Sequence, residues 1–172
     1  MADETSYSIV VLTARHSISG ELRLREQRLS DYLNDRRETT ITLRDTRIAR
    51  LTDPGKIIQK NDLAVIPKAW AIVAFEPPQK AIPPAKRFYG YVRKQMHAVF
   101  IVLEAMEVRG TLHTTSDLDL RRVMTISTDP FLPLTKAVVT LAVNDRFIIE
   151  QEAVMINSSL IRYIAKVEAP SE

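Results

Sequence analysis

The chain has 172 residues, enough for one ordinary domain or two small ones of about 75 to 85 residues each. Apolar residues make up 45% and charged residues 26%, which excludes a wholly disordered chain, a collagen-like repeat and a membrane bundle. There is no Cys, so disulfide scaffolds, cysteine nucleophiles and thiolate metal sites are ruled out, and four Gly leave little from which to build a phosphate-cradling loop. The net charge is +3. Its excess sits in one place: residues 77–97 carry five Lys/Arg and no acid. The start, Met1-Ala2-Asp3-Glu4-Thr5, has neither the basic nor the apolar region of a signal peptide, and no apolar run approaches membrane-spanning length. A soluble cytoplasmic protein without membrane insertion is expected.

Ile9 to Leu12 is a short β-branched apolar run, suited to a buried strand. Ile18, Leu22 and Leu24 follow with polar residues between them, a half-buried strand of period two. Gly20 lies inside that strand, where glycine marks a sharp bend or a close backbone approach. In Arg28 to Asn34, Leu29 and Leu33 share one helical face, so one short helix is expected. Thr39 to Leu43 alternates as a third strand. A hairpin closes the unit: Ile57 to Ile66, a turn at Pro67-Lys68, then Trp70 to Phe75. Trp70 and Ile72 are expected to share one face and pack in the core, with an exposed partner-binding patch as the alternative.

The order then recurs. Val99 to Leu103 is again a strand, and Val108-Arg109-Gly110-Thr111-Leu112 matches Ile18 to Leu22 at an offset of 90. Further on the offset is 91: Leu33 falls on Met124, Ile41 on Leu132, Leu43 on Leu134, Ile48 on Val139 and Val65 on Ile156. Pro133 implies an edge position for the third strand of this unit. The last hairpin runs Phe147 to Ile156, turns at Asn157-Ser158-Ser159 and continues from Leu160 to Val167. This is a tandem duplication, about 6–76 and about 90–168. Between the copies, Pro77-Pro78-Gln79-Lys80-Ala81-Ile82-Pro83-Pro84 is extended and semi-rigid. The division is therefore a first unit over 1–76, a Pro-rich basic linker over 77–89 and a second unit over 90–172.

Two motifs carry a family resemblance. Val108-Arg109-Gly110-Thr111-Leu112 resembles the bent-strand signature of Sm-like proteins. Val154 to Ile164, with a tight polar turn before Ile161-Arg162-Tyr163-Ile164, is similar to their second signature. The Arg28-Leu29-Ser30-Asp31-Tyr32-Leu33-Asn34 segment also resembles one found after a Gly-x-Leu strand in a bacterial family of unknown function. The resemblance implies an all-β fold with one short helix per repeat, as two tandem five-stranded Sm-like small barrels. It also implies the family's habit of joining barrels edge to edge. The family's RNA pocket is not carried over. Asp31 and Asn34 stand near the expected Asp and Asn with shortened spacing, and Asp119 is followed by Thr125. Neither late turn, Pro67-Lys68 or Asn157-Ser158, is the Arg-Gly pair of the family.

No catalytic constellation is present. His16, His97 and His113 have no metal-ligand spacing, even with Glu107 considered. Ser17 and Ser19 lack a nucleophile elbow, and Asp117 and Asp119 sit in loop sequence. Neither a cofactor nor a metal is expected. The one concentrated feature is Lys86-Arg87-Phe88-Tyr89-Gly90-Tyr91-Val92-Arg93-Lys94. Lys86, Arg87, Arg93 and Lys94 suit phosphates, and Tyr89 and Tyr91 suit base stacking. The same pattern suits an acidic protein surface or an anionic membrane surface, or simply the start of a strand. The expected function is a non-enzymatic binding and assembly module acting through its edge strands, as a homo-oligomer or on a protein partner. The alternative is an RNA or single-stranded nucleic-acid binder using the basic–aromatic segment with Asp31 and Asn34.

Overall fold

The computed structural model describes residues 4–78, 94–125 and 129–168. Among these residues, alternating apolar and polar positions give ten antiparallel strands and two short helices. The first half holds β1 (Glu4–Leu12), β2 (His16–Arg25), α1 (Leu29–Asn34), β3 (Thr40–Arg50), β4 (Ile57–Pro67) and β5 (Val73–Phe75). The second half repeats the series as β6 (Gln95–Val102), β7 (Met106–Thr114), α2 (Leu120–Thr125), β8 (Phe131–Leu141), β9 (Asn144–Asn157) and β10 (Tyr163–Lys166). A 3-10 turn, Lys68–Trp70 or Ser158–Leu160, precedes the last strand of each half. Most of the Pro-rich linker and of the basic–aromatic segment lies outside the described residues. No helix among the described residues is long and apolar enough to cross a membrane.

The two halves bend at the same point. The β2–β3 register slips between Ser19 and Glu21, and the β7–β8 register slips between Arg109 and Thr111. Each slip is centred on a glycine, Gly20 or Gly110. On the facing strand, Asp45 has φ 49° and Lys136 has φ 47°, the left-handed region. An extra residue there makes a β-bulge, which sharpens twist and lets the strand curl. Beyond the bulges Leu43 pairs with Ala64, and Leu134 with Val154. This register puts Val65 on Met155 and Ile66 on Ile156, one residue away from the alignment read in the sequence.

The hydrogen bonds draw one sheet, in the order β10-β6-β7-β8-β9-β5-β1-β2-β3-β4. Among the described residues no ladder closes either half into a barrel. The three-residue β5 is already paired on both sides, with β1 and with β9, and β4 is left at one open edge with β10 at the other. The edge position expected of Pro133 is corrected. It lies in β8, inside the sheet, and pairs with Met155. The β7–β8 ladder ends at Thr111–Thr135, so at Pro133 the missing N–H deprives no strand of a donor.

Two apolar cores fill the curls, and they interlock. The first holds Ile9, Val11, Leu22, Leu29, Leu33, Leu43 and Ile66, together with Phe131 and Met155 of the second half. The second holds Ile101, Met106, Val108, Leu134, Val139 and Ile156, together with Leu12, Leu51, Ile72, Val73 and Phe75 of the first half. Strand β5 explains the sharing. Its side chains alternate, so Ala74 enters one core while Val73 and Phe75 enter the other. Burial on both faces is why Val73-Ala74-Phe75 contains no polar residue.

Candidate functional site

The joint between the halves is the most elaborated polar site among the described residues. Val73 pairs with Ile156 and Ala74 with Met155. Asn157, almost fully buried, ends this ladder. Its backbone N–H donates to Ile72 O at 2.9 Å, and its Nδ2 donates to Ala71 O at 2.9 Å and Lys68 O at 3.3 Å. Its Oδ1 accepts from Ser159 N at 3.2 Å and Ser159 Oγ at 2.7 Å. A buried amide with every group engaged fixes register as well as adding affinity. Nearby, Phe131 inserts its ring into the first core and donates its N–H to Asn34 Oδ1 at 2.8 Å.

Lys68 supports the joint from behind. Its Nζ donates to Tyr32 O at 2.6 Å and Asp35 O at 2.9 Å, around the C-terminal end of α1, and stands 4.7 Å from the Tyr32 ring centroid. A cation suits the carbonyl end of a helix and the face of a phenol ring. Burial pushes the Lys68 ammonium below its ordinary pKa, against the pull of Asp35 and Glu38. Burial likewise raises the Tyr32 phenol, whose hydroxyl donates to Thr40 O at 2.9 Å.

The open edges look different. Along β4, Ile57, Leu63 and Val65 are exposed, and Trp70 just beyond is 69% exposed. The core placement of Trp70 is thus overturned: it rides on the 3-10 turn, and only Ile72 packs inward. Two shallow grooves flank β4, one lined by Ile57, Ile58, Gln59 and Lys60, the other by residues including Asp45, Arg47 and Asp62. At the opposite edge, Tyr163 on β10 is exposed and meets the Phe100 ring edge-on at 6.3 Å. The Arg109 guanidinium covers the same Phe100 ring at 4.5 Å. The pairing registers show which residues occupy the joint's positions at these edges. Pro67 of β4 stands where Asn157 stands in β9, and Thr40 stands where Phe131 stands. Thr125 ends α2 as Asn34 ends α1.

Of the residues singled out in the sequence, Asp31 is exposed in the first turn of α1 and Lys94 is exposed just before β6. Asn34 faces the joint rather than a pocket shared with Asp31. Lys86, Arg87, Tyr89, Tyr91 and Arg93 lie outside the described residues. His97 Nε2 contacts Thr114 Oγ1 at 3.1 Å, and His113 Nε2 contacts Thr135 Oγ1 at 2.6 Å. No group of three His, Asp or Glu suited to a metal occurs among the described residues. Asn157, Phe131 and Lys68 escaped the sequence reading. Their one signal was position: a polar residue closing the apolar run Val154 to Ile156, an aromatic opening β8, and a lysine inside a turn. Comparison with known family models, with characterised proteins and with solved structures gives no match.

Proposed function

We propose that this chain is a non-enzymatic binding and assembly module of Sm-like type. It takes up further protein, either another copy or a partner, by adding strands to its open edges. Each half is read as a curled small barrel whose fourth and fifth strands are its joining elements. The observation that carries the reading is the pairing of β5 with β9, an edge-to-edge strand addition made within the chain. The outer strands β4 and β10 are the counterparts of β9 and β5, each with its outer side unpaired among the described residues. Main-chain hydrogen bonds supply such contacts, and an exposed apolar edge is a site for them. Among the described residues every buried side-chain N and O has a hydrogen-bond partner, which fits a rigid scaffold.

Sedimentation of the full chain from low to high micromolar concentration tests this. The expected result is a mass that rises with concentration, and falls when a proline removes an outward donor from the edge strand in use, Leu63→Pro for β4 or Ile164→Pro for β10. A chain that stays monomeric at high micromolar leaves only a different protein as partner.

A second reading, as an RNA or single-stranded nucleic-acid binder, is favoured by the basic–aromatic composition of Lys86 to Lys94. Filter binding of a single-stranded oligonucleotide at several salt concentrations tests it. A steep salt slope supports it, and no binding at low salt removes it.

A further inference from the structure

We propose that β4 pairs with β4 of a second copy, antiparallel, about a two-fold axis passing through Asn61. The proposal rests on the reading of β4 as an assembly edge and names its occupant.

Repeating the internal joint between chains is the obvious alternative, with β10 of one copy laid on β4 of the next. The edge lacks the parts. Pro67 has no N–H to give where Asn157 donates to Ile72 O, and no amide to reach the two further carbonyls. Thr40 cannot fill the slot that Phe131 fills, and Thr125 replaces the acceptor Asn34. A joint made this way loses its register-fixing contacts at every position.

The sequence of β4 is instead complementary to itself. Read antiparallel about Asn61, it sets Lys60 opposite Asp62 of the second copy, Gln59 opposite Leu63 and Ile57 opposite Val65. Symmetry makes each pairing occur twice. All these side chains are exposed, and Lys60 and Asp62 form no ion pair among the described residues. Moving the axis one residue either way brings Lys60 against Lys60, or Asp62 against Asp62. Like charges directly opposite are destabilising, so these charges disfavour both neighbouring registers. A neutral apolar strand from another protein would leave both charges unmatched. On the axis itself Asn61 O already accepts from Thr46 Oγ1 at 3.0 Å, so the free main-chain groups lie to either side of it. Lys68 N donates to Thr39 O, which sets the β3–β4 alternation and turns the main-chain groups of Leu63 and Val65 outward. Met155, the counterpart of Val65, uses the same outward groups to pair with Ala74. The overlap from Ile57 to Val65 is far longer than the two-pair ladder of the internal joint.

The chain has no Cys, which allows a direct test. A residue on a two-fold axis meets its own copy, so Asn61→Cys is expected to give a disulfide-linked dimer on mild oxidation. Val65→Cys alone is expected to stay unlinked, and a mixture with Ile57→Cys to link. Lys60→Asp is expected to weaken dimerisation about tenfold, and adding Asp62→Lys to restore it. Thermal melts confirm that each variant is folded. If the native chain associates but Asn61→Cys stays unlinked while Val65→Cys links to Ile164→Cys, the two-fold falls and edge assembly stands. If the native chain is monomeric at high micromolar concentration, self-association falls altogether and this proposal with it.

Discussion

Gly20 and Gly110 occupy the same bend, yet a methyl group would fare differently at each. Neither has a positive φ, so the requirement is space and not backbone strain. A Cβ on Gly20 would lie 2.8 Å from Arg44 O and 3.1 Å from Leu43 Cβ. On Gly110 the nearest atoms are Thr135 O at 3.2 Å and Leu134 Cβ at 3.3 Å. Gly20→Ala is expected to cost about 2–3 kcal/mol and Gly110→Ala about 1 kcal/mol, with Gly110→Val nearer the larger figure. Urea unfolding measures all three, and equal costs for the two alanines would contradict the difference in space. Glu21, next to the first bend, is a second residue-level case. The Ser8 hydroxyl and then the Ser6 hydroxyl donate to its carboxylate, each at 2.7 Å, and hold its pKa below the ordinary 4.5, against burial and with help from Arg23. The stability this adds is present above the unfolded value and is lost as pH falls through the lower, folded one. Ser8→Ala should move the Glu21 midpoint upward in a carbon NMR titration. An unmoved midpoint would remove the hydroxyl as the cause.

Strands and helix α1 were legible because each imposes a period on its own residues. Ile18, Leu22 and Leu24 alternate, and Leu29 and Leu33 lie four apart, whatever the rest of the chain does. Pairing is a different matter. The apolar run Val73 to Phe75 announces a buried strand but not that β9 covers its second edge. Pro133 signalled an edge because a sequence cannot show that the β7–β8 pairing ends before it. Trp70 signalled a core because size and apolarity say nothing about the 3-10 turn that carries it outward. Asn157 read as a turn residue, and its side chain is a joint only because Ala71 and Lys68 come to it from some 86 and 89 residues away. Asn157→Ala leaves those carbonyls without their donor in a buried place, and is expected to cost about 2–4 kcal/mol. The loss should appear in both halves, as faster amide exchange in β5 and in β9. Loss confined to β9 would mean that Asn157 serves only its own turn.

At the scale of the molecule, two repeats do not make two independent bodies. Phe131 and Met155 complete the first core, and Leu12, Ile72, Val73 and Phe75 complete the second. Denaturation is therefore expected to give one transition by fluorescence of Trp70 and by circular dichroism alike. A fragment of residues 1–78 lacks the Phe131 ring and any partner for the outer side of β5, and should show no cooperative unfolding. A fragment that melts as sharply as the whole chain would show that the halves merely touch. The covalent continuity of β5 with β6 also bears on how the molecule answers to dilution. Pairing of β5 with β9 is unimolecular, so its effective concentration is fixed by the tether and is the same in a crowded cell as in a dilute tube. Contacts made by β4 or β10 with another molecule obey mass action. Thinning the solution would strip away every such neighbour and stop at the pairing of β5 with β9. The smallest species to survive is thus one chain and never one repeat, and any larger assembly grows in steps of two repeats.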